Sequence, residues 1–338
     1  MSGEKLACGK LPHQLLEKLL KIIEERKDDK LIIGPGIGVD SAVVSWDGKL
    51  LVVTSDPITF TSDLIGWYTV MVNANDIAVM GASPRYLLVT LLLPMNCSSE
   101  LPLKIMQQIE EACRKLSITV IGGHTEIAPG LERPISIGTM LGETDRVIRP
   151  LAQEGDLICL TKGIAIEGTA ILAREFPDLL ISLGIEKDVL DRAKNFINEP
   201  GISVVEEALA IRDLVTSMHD PTEGGLATAI YEFSISNDKG ALIYEDSIPI
   251  LPECKLICEK LGLNPLGLIA SGALLFTISA DKVEMAKYEL EKKGIKCWAI
   301  GEVKSKDFGL KLMRNGSLIP LPYFERDELA RLEEEWAE

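Results

Sequence analysis

Apolar positions along the chain alternate between helical and strand spacing. After Leu11-Pro12, Leu15, Leu16, Leu19, Leu20 and Ile23 recur on one helical face, and residues 24–30 form a charged tail. A short apolar step, Leu31-Ile32-Ile33, follows. Residues 41–46 favour a strand, Asp47-Gly48 a hairpin turn, and 49–54 the return strand. The pattern then predicts a helix over 63–80, stopped by Gly81 with Pro84 behind it. Its apolar residues keep to no single stripe, which predicts burial on most sides. Beyond it, 86–93 reads as a buried strand, 99–116 as a helix, 118–121 as a strand entering a glycine turn, and 135–142 as another strand.

A second unit opens after Arg149-Pro150. It reads as a strand over 156–161, a helix after 163–169, helical segments through 179–214, and a short strand at 215–219. A glycine-marked turn enters a strand by Phe276; a helix over 280–293, strands at 296–300 and 308–313, and a charged helix over 327–335 complete it. The expected division is 1–30 for an N-terminal segment and helix, 31–150 for a first domain, and 151–338 for a second.

Composition narrows the function. The formal charge of −16 argues against nucleic acid, whose phosphates need basic patches. It allows a nucleotide only where divalent cations bridge phosphate to carboxylate. No apolar run reaches membrane-span length, and residues 1–11 lack a signal-peptide core, so a cytoplasmic protein is expected. The seven cysteines have no regular spacing, as reduced thiols would not. Gly34-Pro35-Gly36-Ile37-Gly38 imitates a dinucleotide loop but precedes a strand rather than a helix, so its glycines are read as a close backbone approach before Asp40.

Several polar groups carry candidate chemistry. Asp76 lies in the apolar helix with Asn73 and Asn75, and Asn73 shares its face. A buried, unpaired carboxylate is costly, so Asp76 calls for a metal ion or a donor network; a helix C-terminus with solvated polar residues would show the same spacing. Asp40 precedes one hairpin strand and Asp56 follows the other, so pairing sets both carboxylates near one end of the sheet. Gly122-Gly123-His124-Thr125-Glu126 offers backbone N–H groups for an anion, with His124 and Glu126 as candidate ligand or base. Asp220 sits where a strand meets a helix, a common place to display ligand groups.

Taken in order, Gly-Val-Asp40, Thr-Ser-Asp56, Asn75-Asp76-Ile-Ala-x-Met-Gly-Ala-x-Pro84, Gly122-Gly123-x-Thr125 and Asp220-Pro-Thr-x-Gly-Gly225 resemble a known ATP-binding superfamily. Its members are aminoimidazole ribonucleotide (AIR) synthase, HypE, thiamine-monophosphate kinase and selenophosphate synthetase; HypE-like, AIR-synthase-related proteins are the best match. The resemblance implies an α+β, two-domain AIR-synthase (PurM)-like fold. An N-terminal ferredoxin-like sheet domain dimerises, and a C-terminal α/β domain completes it. It implies ATP and Mg²⁺ as cofactors, with Asp40, Asp56, Asp76 and Asp220 as metal ligands. Asn75, Gly122, Gly123 and Thr125 become nucleotide contacts, and His124 and Glu126 catalytic candidates.

The implied chemistry is phosphoryl transfer from ATP to an oxygen of a small molecule. Three departures bear on it. His124 stands where HypE has a carboxylate. HypE ends in a cysteine that carries its substrate group, whereas the last cysteine here is Cys297. The Gly-Thr-Lys that follows the corresponding aspartate in AIR synthase is missing. A separate acceptor molecule and a homodimer are therefore expected. The alternative is a non-catalytic nucleotide-binding dimer that assists assembly or maturation.

Overall fold

The computed structural model describes residue 6 and residues 9–23 and 28–337. Cys8 and part of the charged tail after Ile23 lie outside them. The chain forms α1 (His13–Ile23), β1 (Leu31–Ile33), β2 (Ala42–Trp46), β3 (Lys49–Ile58), α2 (Ile65–Val79), β4 (Ser83–Pro94), α3 (Glu100–Leu116), β5 (Thr119–Ala128) and β6 (Ile135–Thr144). The second half adds β7 (Leu157–Thr161), α4 (Ile166–Glu175), α5 (Pro177–Ser182), α6 (Lys187–Lys194), α7 (Val205–Ile211), β8 (Ser217–His219) and α8 (Gly225–Asn237). It ends with β9 (Gly240–Tyr244), α9 (Pro252–Leu261), β10 (Leu275–Ile278), α10 (Val283–Glu291), β11 (Cys297–Lys304), β12 (Leu310–Arg314), β13 (Ser317–Pro320) and α11 (Glu328–Ala337).

The first sheet runs β1-β2-β3-β6-β4-β5, antiparallel except for the parallel pair β4–β5 that α3 connects. The second runs β13-β12-β9-β11-β7-β10-β8, with β9–β12 its parallel pair. Helix α2 lies against β3 and β6 and is buried at every residue except Val72. That is the outcome expected of a helix without a polar stripe.

Three local readings change. Strand β3 continues to Ile58, because Ser55 to Ile58 stay in register with β6; Asp56 is therefore inside the strand, not after it. Pro84 belongs to β4. The glycine pair is not a turn: residues 119–128 are one edge strand. The ladder slips between Leu87 and Leu88, and Gly123 (φ +150) lies so close to β4 that a Cβ would collide with the carbonyl of Val89. Close backbone contact requires glycine there. Strand β9 and helix α9 have no counterpart in the sequence reading.

The two halves share one buried apolar cluster, which includes Ile65 and Ile77 of α2 and Ile171 of α4. Polar clamps add direction. Asn75 donates to the Ile202 carbonyl (2.9 Å) and accepts from the Val204 N–H (2.7 Å). Arg174 Nε meets Asp63 Oδ2 at 2.5 Å, and Thr61 donates to Glu175 at 2.7 Å. These contacts hold the loop after β3 against α4, and a cavity lies between them.

Candidate functional site

Strand β3 and helix α2 supply the floor of the site. Thr54 is the hub: its hydroxyl lies 2.8 Å from Asp76 Oδ2, 3.1 Å from the Asp40 carbonyl and 3.4 Å from Asp56 Oδ2. Asn73 holds Asp56 by the backbone, accepting its N–H at 3.0 Å. Gly38 (φ +70) brings the preceding loop close; a Cβ there would lie 2.5 Å from the Glu232 carbonyl oxygen. Strand β8 then delivers Asp220, whose ligand oxygen is within 4.8 Å of ligand atoms of Asp40 and His219.

The electrostatics are those of closely packed buried carboxylates. Burial, then Asp56, pushes the Asp76 carboxyl well above its ordinary range, and Asp220 and Asp40 add to the shift. Burial and Asp40 do the same to Asp220, against the pull of His219. Both carboxylate oxygens of Asp220 are buried without a hydrogen-bond partner. Orphaned buried oxygens beside further carboxylates suit a hard divalent cation with oxygen ligands. His219 does not suit it. Its Nδ1 meets Asp40 at 2.8 Å and its Nε2 meets Glu232 at 3.1 Å, so both ring nitrogens are engaged. Burial alone would lower the imidazole pKa, but Asp40 and Glu232 hold it well above its usual value.

Lys10 closes this relay from the N-terminal segment, with Nζ 3.0 Å from Glu232. Burial opposes charge on Glu232, yet Lys10 and His219 win and hold its carboxyl down at about 2. Above the cluster is a cavity of about 760 Å³ lined by Asp40, Asp56, Asp76, Lys10, Glu167 and Ser271 among others.

The four aspartates named from the sequence thus converge. The remaining candidates do not join them within one chain. Asn75 turns its amide to the second domain's backbone and does not line the cavity. Gly122, Gly123, His124, Thr125 and Glu126 are exposed on edge strand β5, outside the cavity lining. His124 Nε2 and Glu126 Oε2 pair with each other at 3.1 Å.

Residues 38–144 match the AIR synthase related protein N-terminal domain, and residues 153–312 match its C-terminal domain. The chain belongs to the AIR synthase related family. A provisionally described hydrogenase expression/formation protein of Methanocaldococcus jannaschii is 33% identical over 80% of this chain and 82% of its own. Carbamoyl dehydratase HypE of Cupriavidus necator is 27% identical over 76% and 74%. A crystal structure of HypE in complex with ATP superposes with a TM-score of 0.67 at 20% identity, covering 96% of this chain and 97% of that one. The α+β two-domain fold of this family is thereby shared.

Sequence reasoning overlooked Thr54, His219, Glu232 and Lys10 as parts of the site. A signal existed for Glu232: it is the one charged residue in helix α8. No pattern along the chain links it to Lys10, 222 residues away.

Proposed function

We propose that this protein binds ATP with divalent metal and transfers its γ-phosphoryl group to an oxygen of a small-molecule acceptor. The observation that carries the reading is Asp220: its two buried oxygens have no hydrogen-bond partner, Asp40 lies beside it, and Asp56 and Asp76 are near enough to repel its charge. Mg²⁺ at these carboxylates would neutralise phosphate charge and polarise the γ-phosphoryl group. The chain's own part is positioning: Thr54 holds the Asp76 carboxylate and the Asp40 carbonyl, Asn73 holds the Asp56 backbone, and His219, backed by Glu232 and Lys10, aims Asp40. The ATP-bound HypE structure of the same fold supports this assignment.

A homodimer fits the first sheet. Alternate residues of β4 face α2 and α3, leaving Tyr86 and Leu88 on an open face at 49% and 37% exposure. Apolar surface of this kind marks an interface. His124 and Glu126 register with Thr90 and Leu92 on that same face. They would reach a nucleotide only as residues of a second copy. The acceptor is read as a separate molecule, since Cys297 opens sheet strand β11 and burial pushes its thiol up to about 11. Titration calorimetry with ATP tests the proposal: binding is expected with Mg²⁺ and should vanish under chelation. Equal affinity in both conditions would refute it.

A further inference from the structure

The cavity holds a second polar station, on the domain opposite β3. Glu167 lies in the first turn of α4, only 4% exposed, and accepts the Ser271 backbone N–H at 3.2 Å. The Ser271 hydroxyl is buried, makes no hydrogen bond of full geometry and leans toward the Glu167 carboxylate, whose pKa it lowers. Both residues line the cavity, with Val72, Ile171 and Ile269 as apolar neighbours. A carboxylate that serves only to hold a loop needs no cavity beside it.

The charges on the wall constrain what binds there. Among the described residues the lining contains no arginine, and its one lysine, Lys10, is paired with Glu232. Besides the carboxylate cluster and the His219–Glu232–Lys10 relay it presents Glu167 and Glu223, with His13 of α1 as its one further basic side chain. An acceptor that itself carried a phosphate would find carboxylates where a guanidinium fork is needed.

Resting on the ATP reading above, we propose that Glu167 is the proton acceptor of the transfer and that the acceptor is an uncharged or cationic hydroxyl or amide compound. The acceptor O–H (or tautomeric amide O–H) bond breaks and its proton passes to the Glu167 carboxylate. The freed oxygen pair forms the bond to the γ-phosphorus. The bond from that phosphorus to the bridging oxygen breaks, and its electron pair leaves with ADP. Ser271 supplies the donor that orients the acceptor. Burial pushes the Glu167 carboxyl up to about 7 against the opposing pull of Ser271, and a base works best near the ambient pH. The titratable groups facing Glu167 from packed elements are Glu223 after β8, Tyr68 of α2 and Asp327 ahead of α11.

The test uses the intact protein with MgATP. ADP release is followed from pH 5.5 to 9 with water, acetamide, glycerol or glycerol 3-phosphate as acceptor. Binding of a Mg-bound nonhydrolysable ATP analogue is measured in parallel. The unaltered protein should show a rate that climbs with pH and levels off above about 7. Glu167→Gln should lose that limb and fall roughly 10²–10⁴-fold in rate, with analogue binding unchanged within about twofold. Glu167→Asp, which keeps the charge should the glutamine variant misfold, should retain the limb at a reduced rate. Asp327→Asn should leave the limb in place. A glutamine variant that keeps rate and limb, an aspartate variant without the limb, or faster ADP release with glycerol 3-phosphate than with the neutral acceptors would overturn the inference. So would analogue binding without turnover on any acceptor, which leaves ATP binding itself standing. Failure of the unaltered protein to bind the analogue would instead remove the ATP reading, and this one with it.

Discussion

Replacing Asp76 by asparagine should stabilise the metal-free protein while weakening its response to metal. Asp76 is 5% exposed and surrounded by Asp56, Asp220 and Asp40, and burial is the largest reason its carboxyl is held well above the usual range. An acid with a raised folded-state pKa favours folding most below its unfolded pKa, and that advantage drains away as pH rises through the folded value. At neutral pH the metal-free fold thus bears either a buried charge or the cost of a protonation, whereas in the unfolded chain the same carboxylate is ionised and freely solvated. Asparagine has the same shape, and its Oδ1 can still accept from the Thr54 hydroxyl, which lies 2.8 Å away. Removing the buried like-charge conflict should gain about 1–3 kcal/mol without Mg²⁺. For 338 residues this is a rise in melting temperature of about 1–4 °C. With Mg²⁺ at roughly a hundredfold its dissociation constant, the unaltered protein should gain about 2.7 kcal/mol, and the variant much less. Scanning calorimetry in EDTA and in Mg²⁺ reads both quantities. A variant less stable than its parent in EDTA, yet equally stabilised by Mg²⁺, would refute the metal-platform argument.

Asn75→Ala should cost roughly 2–4 kcal/mol, since it strands the buried Ile202 carbonyl and Val204 N–H; urea denaturation measures it, and Mg²⁺-dependent stabilisation should survive. Asp327, which accepts N–H groups of Gly224 and Leu329, is pushed by burial up to about 8. Its contribution to stability is complete below about pH 4 and drains away as pH rises to about 8, so Asp327→Asn should flatten the stability profile across that window in chemical denaturation. If the unaltered protein dimerises through the open face of the first sheet, Leu88→Arg should yield a monomer in light scattering; an unchanged mass would argue against that interface.

Much of this protein was legible residue by residue. The absence of a polar stripe over 63–80 announced a helix buried all round, and α2 is one. The strand–turn–strand pattern placed Asp40 and Asp56 at one end of a hairpin, and the order of the motifs indicated the family. Local periodicity carries this information because helix and strand geometry repeat over a few residues. The same window misread the glycine pair as a turn, since only the close passage of β4 reveals why Gly123 must be glycine. Tertiary structure alone decided which polar residues share a site. His219 meets Asp40 across 179 residues, Lys10 meets Glu232 across 222, and Ser271 meets Glu167 across 104. Asn75, one residue from a metal candidate, turns the other way and clamps the second domain. Neighbours on a helix point about 100° apart, so adjacency in sequence cannot assign them to one side, whereas burial forces distant polar groups to find each other as partners.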